Sequence, residues 1–554
     1  MRFSKVSGIV FAVIITLISV TGTGFSASAY KECAALKNLA LKDLAFNKPI
    51  TIKSAGIVPS WFGLPAHCSV EGRIWPETDF AVRMPLNGNG NLYYVGGGGM
   101  DGSLALNEWL NGSAIVPGLS AGYATAVTNG GHNSPKGLLG AVSDASFGYN
   151  PSDNSNPFYE QKKIDFAYRA AHEGAQAAKK IIKAFYGKLP PYSYFVGCSN
   201  GGRNGMMEAQ RYPEDFNGYL IGSPQLDYLG APIRGIWDSQ AQLGNGALGY
   251  DSTTQASLLS RLAGAVYQKC DALDGLEDGL IDDPRVCDFD PTIDLDNATY
   301  ACERGASSPC FTAEQRDALK KIYDGPQTSS DDRIFFGTLP GAEIVGIGPM
   351  AIFGLKSLWS TFLVPSTYGT CGDAIGESYM KYMAFDPASG PDYDWKTYNF
   401  DVDPQREIAT RYPALINAIS PNLWAVKYLG GKIIHYHGTA DTTATTWVSY
   451  NYYNKVLATM GSKNTASFYR FYAVPGMDHC ATGVGCYTDT ANFFSALVAW
   501  VEKGIPPQAI LGERPINKSL GWKVKRTRPL CPYPQVEKYK GSGSIEDADN
   551  FYCQ

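Results

Sequence analysis

The chain has 554 residues, 44% of them hydrophobic and 18% charged, which is enough apolar length for a large core and for more than one compact unit. Net charge is −5 and there is no basic block or Lys/Arg-rich tail, which argues against nucleic acid as a partner. Aromatics make up 12%, with 34 tyrosines, a supply that serves a core or a site for a flat ligand equally well.

Residues 1–29 read as an export signal. Arg2 and Lys5 supply the positive end, Val6 to Val20 is apolar but short for a bilayer, and Ala27-Ser28-Ala29 is a small-residue cleavage pattern. Cleavage there leaves a secreted or periplasmic protein with no membrane segment. Export also makes the 12 cysteines legible, all of which follow the leader. No C-x-x-C pair favours zinc. The close pairs Cys33/Cys68, Cys270/Cys287, Cys302/Cys310 and Cys531/Cys553 read as disulfides.

From Tyr30 to about Trp75 the chain reads as a loop-rich lead-in. "NLYYVGGGGMDG" (Asn91–Gly102) is then a short strand ending in four glycines, and "YATAVTNGG" (Tyr123–Gly131) is a second strand. The spacing predicts a long helix over Glu160–Gly187, apolar at every third or fourth residue and stopped by Gly187. "YSYFV" (Tyr192–Val196) and "YLIGSP" (Tyr219–Pro224) are further strands. The alternation resumes with "KIIHYHGTAD" (Lys432–Asp441), "FYRFYAVPGMDHC" (Phe468–Cys480) and a closing helix in "TANFFSALVAWVEKG", with Phe493, Leu497 and Val501 on one face. Strands alternating with helices predict a parallel sheet covered on both faces. Between about Leu226 and Ile408 the pattern breaks and five cysteines occur, which reads as an insert above the sheet's C-terminal edge. The expected organisation is a catalytic unit of 30–225 and 409–554 around a lid domain of 226–408.

Gly197-Cys198-Ser199-Asn200-Gly201 fits G-x-S-x-G between a strand and a helix, the setting in which a sharp turn lifts a serine hydroxyl clear of a sheet. A plain glycine turn is the bland alternative. A nucleophilic serine needs a base and an orienting acid, expected later in the chain as acid and then histidine. Of the six histidines, His67, His132 and His172 precede Ser199. His435 and His437 lie in or at the end of a strand and read as buried structural residues. His479, in the loop after the next strand, is the candidate base. Asp441, at the end of "IIHYHG", is the candidate acid. Asp478 is the rival, but a residue adjacent to His479 is poorly placed for a straight relay. Cys198 precedes the serine and Cys480 follows the histidine, so any fold that joins Ser199 to His479 brings these two cysteines together.

The Cys-Ser, Asp and His-Cys arrangement resembles the tannase and feruloyl esterase family of α/β-hydrolases. The resemblance runs from "KECAALKNL" to "TRPLCPYPQVEKYKGSG" and is most specific in "GCSNGGRNGMM", "CDALDGLEDGLIDD", "VPGMDHC" and "RPLCPYP". It implies an α/β-hydrolase fold with a large inserted lid, Ser199, Asp441 and His479 as triad, and a Cys198–Cys480 bridge. It also implies an oxyanion hole from the backbone N–H groups of Asn200 and of Gly99 in "GGGG", with Gly98 as the alternative. In "CDALDGLEDGLIDD" the acidic residues read on chemistry alone either as a hard-cation loop or as a solvated turn, and the spacing is not that of an EF-hand. The resemblance implies a structural calcium held by Asp271, Asp274 and Asp278 with the carbonyls of Leu276 and Leu280, and no organic cofactor.

The expected activity is hydrolysis of small aromatic esters, feruloyl and other hydroxycinnamoyl esters first, with galloyl esters or mono(2-hydroxyethyl) terephthalate as alternatives. Gly348–Gly372 occupies the region that shapes the acyl pocket in the family. It has no arginine to suit a terephthalate carboxylate, but Phe353, Trp359 and Phe362 are available for stacking or simple packing. A binding protein with an unused elbow is the non-enzymatic alternative.

Overall fold

The computed structural model describes residues 27–61, 63–110, 115–152, 157–242, 252–343, 371–480, 486, 490–514 and 526–554. Most of the leader, residues 1–26, and the stacking candidates Phe353, Trp359 and Phe362 lie outside the described residues.

One ten-stranded mixed sheet organises the chain. Its strands are β1 (Leu41–Lys42), β2 (Pro49–Val58), β3 (His67–Ile74), β4 (Thr78–Pro85), β5 (Leu92–Val95), β6 (Ala124–Thr128), β7 (Ser193–Cys198), β8 (Gly218–Gly222), β9 (Lys432–Gly438) and β10 (Tyr469–Val474). They lie in the order β1-β2-β3-β4-β6-β5-β7-β8-β9-β10. The steps from β1 to β4 and across to β6 are antiparallel. From β6 to β10 every neighbour is parallel. This is an α/β-hydrolase-type sheet.

The lead-in is therefore not loop-rich. β2 and β3 pair from Thr51 opposite Arg73 to Val58 opposite His67, with a register irregularity between Ile52 and Ser54. Burial along β3 alternates, so polar Ser69, Glu71 and Arg73 are carried on the wetter face.

The parallel half follows the two-residue period of a strand buried on both faces. Phe195, Tyr219, Ile221, Ile433 and Phe471 pack on one face with Ala175, Ala178 and Ile182. These last come from the predicted long helix, which is continuous from Pro157–Ile164 through a π turn at Asp165–Arg169 into Ala170–Tyr186. Gly187 ends it at φ 80°, where its N–H reaches the Lys183 carbonyl at 2.9 Å. Tyr194, Val196, Leu220, Ile434, Tyr436 and Val474 pack on the other face with Phe493 and Leu497 of the helix Thr490–Lys503. Each of those two fully buried side chains contributes roughly 1.5–3 kcal/mol of transfer free energy.

The segment between β8 and β9 is more helical than its composition suggests, with helices Gly230–Ala241, Ser252–Cys270, Ala313–Asp324 and Cys371–Tyr382. It has its own core around Leu262, Val266, Phe311, Leu319 and Ile322. A second cluster joins Ile233, Ile236, Tyr379 and Met380 of the insert to Met100, Phe147 and Phe166 beside the glycine loop. Among the described residues no helix is long and apolar enough to cross a membrane.

Candidate active site

The serine stands where a buried strand turns into a helix. β7 is buried along its whole length, and Ser199 takes φ 61° and ψ −127° before the helix Asn200–Arg211 begins. Such a conformation costs a non-glycine residue of order 1–3 kcal/mol and persists only where its surroundings over-determine it. Here the Ser199 N–H donates to the Gly222 carbonyl at 3.0 Å, and its carbonyl accepts from Arg203 N at 3.0 Å. The flanking glycines are required by contact. A Cβ on Gly197 would meet the Gly201 carbonyl oxygen at 2.3 Å, and one on Gly201 would meet the Gly97 carbonyl oxygen at 2.4 Å.

β9 and β10 end side by side, and their following loops carry the candidate acid, Asp441, and the candidate base, His479. A Cβ on Gly438 would lie 2.1 Å from the Met477 carbonyl oxygen, so the two loops meet in backbone contact. Asp441 Oδ2 accepts from His479 Nδ1 at 2.7 Å, while Oδ1 accepts from the backbone N–H groups of Thr443 at 2.9 Å and Ala444 at 2.7 Å. Burial works against the Asp441 charge, but His479 and the hydrogen bonds from His437 and His479 outweigh it and hold the carboxyl below the usual range. Burial would likewise lower His479, and the Asp441 carboxylate more than reverses this, so the imidazole lies above its ordinary value.

Asp478 is differently placed. Its Oδ1 accepts from the backbone N–H groups of His479 at 2.7 Å and Thr442 at 3.3 Å. Burial, with the Asp441 charge beside it, pushes its carboxyl up to about 7. Cys198 and Cys480 are bonded, with their Cα atoms 5.9 Å apart across 282 positions of chain. The covalent neighbours of Ser199 and His479 are thus joined.

The glycine loop runs from the end of β5 over the start of the Ser199 helix. Gly99 takes φ 55°, and a Cβ there would meet the Val142 carbonyl oxygen at 2.7 Å. Asn200 opens its helix, so its N–H has no intrahelical acceptor. Among the described residues no acceptor takes the N–H of Gly99 or Asn200, whereas the Gly98 N–H donates to the Asp101 carboxylate.

Sequence reasoning missed the strut that joins these two pieces. Asp101, buried just past the glycines, accepts from Asn200 Nδ2 at 2.8 Å and from Asn107 Nδ2 at 3.1 Å. Its own N–H donates to the Gly98 carbonyl at 2.9 Å. Arg203 Nε holds Asn200 Oδ1 from the other side at 2.7 Å. Burial raises the Asp101 carboxyl to about 6 against the pull of Asn200 and Arg203. An aspartate in "GGGGMDG" was the available signal.

The acidic loop is closed by the Cys270–Cys287 disulfide. Asp271 accepts from Gly279 N at 3.0 Å, Asp274 from Leu276 N at 2.9 Å and Asp278 from Leu280 N at 3.1 Å. Burial raises the Asp271 and Asp274 carboxyls, and repulsion from Asp278 adds to it. The carbonyls of Leu276 and Leu280 accept no hydrogen bond from described residues. Carboxylates and carbonyls are the donor types a hard cation takes, but oxygens of Asp271, Asp274 and Asp278 do not all lie within 4.8 Å of one another. The second oxygen of Asp278 is taken by Arg526 and Arg528, which tie the loop to the C-terminal strands Thr527–Leu530 and Phe551–Cys553. Among the described residues, the group that does bring three donor atoms within 4.8 Å of one another is His172, Glu208 and Asp215. There Asp215 already accepts from His172 Nδ1 at 2.7 Å and from Lys179 Nζ at 3.3 Å, so an ammonium supplies the positive charge.

Among the described residues there are five disulfides: the two above with Cys33–Cys68, Cys302–Cys310 and Cys531–Cys553. Cys486 is buried and free, and the side chain of Cys371 lies outside the described residues.

Comparison with known proteins agrees with this architecture. The family model "Tannase and feruloyl esterase" matches residues 64–554. The chain is 33% identical over 527 residues to mono(2-hydroxyethyl) terephthalate hydrolase of Piscinibacter sakaiensis, covering 88% of this chain and 85% of that one. It is 28% identical over 494 residues to a probable feruloyl esterase B-2 of Aspergillus terreus, covering 86% and 83% respectively. Among solved structures, feruloyl esterase B from Aspergillus oryzae superposes with a TM-score of 0.76 at 25% identity, covering 95% of this chain and all of that one. With its elbow, its histidine and carboxylate and its sheet, the chain belongs to the tannase and feruloyl esterase family and is a carboxylic ester hydrolase.

Proposed function

We propose that the protein is an exported serine esterase of aromatic carboxylic acid esters, with feruloyl and other hydroxycinnamoyl esters as its first substrates. The observation that carries this reading is the hydrogen-bonded Asp441–His479 pair, 2.7 Å apart, leashed to Ser199 through the Cys198–Cys480 bond. His479 Nε2 takes the Ser199 proton as the hydroxyl oxygen attacks the ester carbonyl, and returns it to the departing alcohol. Asp441 keeps Nδ1 protonated and stabilises the imidazolium. The acyl-serine is then opened by water, with His479 again as base. The amides of Asn200 and Gly99 receive the developing oxyanion, and a fixed pair of N–H donors is worth most where water is excluded.

The remaining parts support this chemistry without joining it. Residues 226–408 serve as the lid domain. Asp271, Asp274 and Asp278 with the Leu276 and Leu280 carbonyls would hold a structural calcium that stiffens the insert. Five disulfides suit an oxidising, extracytoplasmic setting and the leader of residues 1–29. The names of the two relatives point to feruloyl esters and to mono(2-hydroxyethyl) terephthalate; galloyl esters remain the third option from the family description.

The test is a panel of methyl ferulate, methyl gallate and mono(2-hydroxyethyl) terephthalate under equal conditions. The reading expects the highest kcat/KM on the ferulate. A tenfold preference for either other ester would reassign the substrate while leaving the serine chemistry intact.

A further inference from the structure

Behind Asp441, on the side away from His479, a line of polar side chains runs into the protein. His437 Nε2 lies 3.2 Å from Asp441 Oδ2 and 2.7 Å from the Ala444 carbonyl oxygen. Its Nδ1 is 2.6 Å from Ser449 Oγ, which is 2.9 Å from His435 Nε2. His435 Nδ1 in turn lies 2.8 Å from the Tyr469 hydroxyl. His435, His437, Ser449 and Tyr469 are all fully buried.

The proton positions follow from one constraint. A backbone carbonyl only accepts, so His437 Nε2 carries the hydrogen that it shares between Ala444 and Asp441. With one proton on each ring, His437 Nδ1 is a bare acceptor and takes the Ser449 hydroxyl proton. Ser449 Oγ then accepts from His435 Nε2–H, and His435 Nδ1 accepts from the Tyr469 hydroxyl. Every link is satisfied, and every donor points toward Asp441. Burial holds His435 well below its ordinary value, which suits a neutral ring.

The two ends of the Asp441 turn meet at His437. The Ala444 amide holds Asp441 Oδ1, and the Ala444 carbonyl shares the His437 proton with Asp441 Oδ2. One imidazole therefore clamps both the carboxylate and the loop that orients it. Burying a carboxylate is costly unless such donors surround it. Across the turn, Asp478 shows the alternative outcome: it has two backbone donors only, an unpartnered Oδ2 and a raised carboxyl.

We infer that His437 is a positioning residue for catalysis, held in one tautomer by the Ser449–His435–Tyr469 chain so that it fixes and polarises Asp441. This rests on the reading of Ser199, Asp441 and His479 as the triad. His437 touches no substrate and acts only through Asp441.

The experiment compares kcat and KM for His437→Phe, His437→Gln and Ser449→Ala on methyl ferulate, in the parent and in an Asp441→Asn background. His437→Phe is expected to lower kcat on the order of 10- to 100-fold with KM within about threefold, because a misoriented acid damages the transition state and not ground-state binding. His437→Gln, which retains a donor near Nε2, is expected to recover most of the loss. In the Asp441→Asn background His437→Phe should change kcat by no more than about twofold, since residues acting as a unit are non-additive. If His437→Phe does not fold by circular dichroism, Ser449→Ala carries the test, with an expected kcat loss of roughly 3- to 10-fold at unchanged KM. A folded His437→Phe with kcat within twofold of parent overturns the inference. So does an unaffected Ser449→Ala where His437→Phe does not fold, or an equal fold-loss in both backgrounds. Failure of the triad itself would show separately, as ester turnover surviving Ser199→Ala.

Discussion

Two disulfides in this protein close loops of very different kinds. Cys270–Cys287 spans 17 positions around the acidic loop, whereas Cys198–Cys480 spans 282 and joins the strand before Ser199 to the loop after His479. On chain entropy alone, closing the longer loop is worth roughly 5–6 kcal/mol and the shorter roughly 3 kcal/mol. The larger difference lies in what each bond sits beside. The short bridge shapes the acidic loop, which Arg526 and Arg528 tie to the C-terminal segment through Asp278, remote in chemistry from the ester. In the long bridge, each half-cystine is the covalent neighbour of a proposed reacting residue. One staple should therefore be felt in stability, the other in rate.

The largest effect that sharpens this contrast comes from the acid. Asp441→Asn should cut kcat by about 10³- to 10⁴-fold through the wrong imidazole tautomer, while Asp478→Asn, whose contacts are to backbone N–H groups, should change it far less. Steady-state kinetics on folded protein decides this, and the reverse ranking would transfer the acid to Asp478.

Next comes the long bridge itself. Cys198→Ala/Cys480→Ala should lose about a hundredfold in kcat at a temperature where circular dichroism shows native structure, because a displacement of about 1 Å at the serine–histidine pair costs that much. Near-normal kcat in that folded variant would reduce the bond to a stability device and erase the contrast.

Chelation addresses the other staple. Removing a cation that binds only the folded state should lower Tm, by about 1 °C for each kcal/mol of lost binding free energy in a chain of 554 residues, with kcat per folded molecule nearly unchanged. An identical melting curve and no calcium by elemental analysis would count against the site.

The smallest effect is in pH dependence. His479 must be neutral to act as base, and its ring is raised above 6.5 by the Asp441 carboxylate. Activity should therefore fall as pH drops through a midpoint above 6.5, and Asp441→Asn should move the residual activity's midpoint downward. A midpoint below 6 in the parent would contradict the pairing.

What could be read from the chain, and what could not, follows the range of the interactions. The long helix ending at Gly187 and the strand-turn-helix at Ser199 announce themselves in local periodicity and glycine placement. β2 and β3 do not, because Lys53, Ser54 and Gly56 in one and Ser69, Glu71 and Arg73 in the other belong to half-wet antiparallel strands whose polar face resembles loop. Cys198 and Cys480 were legible as a pair only because each touches a residue the chemistry needs. Asp101 reaches Asn200 across 99 positions, and His435 reaches Tyr469 across 34. Neither contact has a periodic signature, and both exist only once the sheet has set its register.

Everything proposed above turns on Ser199 acting as the nucleophile while covalently leashed to its base. The most direct measurement is a non-reducing peptide map of enzyme quenched during turnover of methyl ferulate, read by mass spectrometry. The expected product is a feruloyl adduct on Ser199 in a peptide disulfide-linked to the one carrying His479 and Cys480. An adduct on another residue, or Cys198 free or bonded elsewhere in active enzyme, would contradict it.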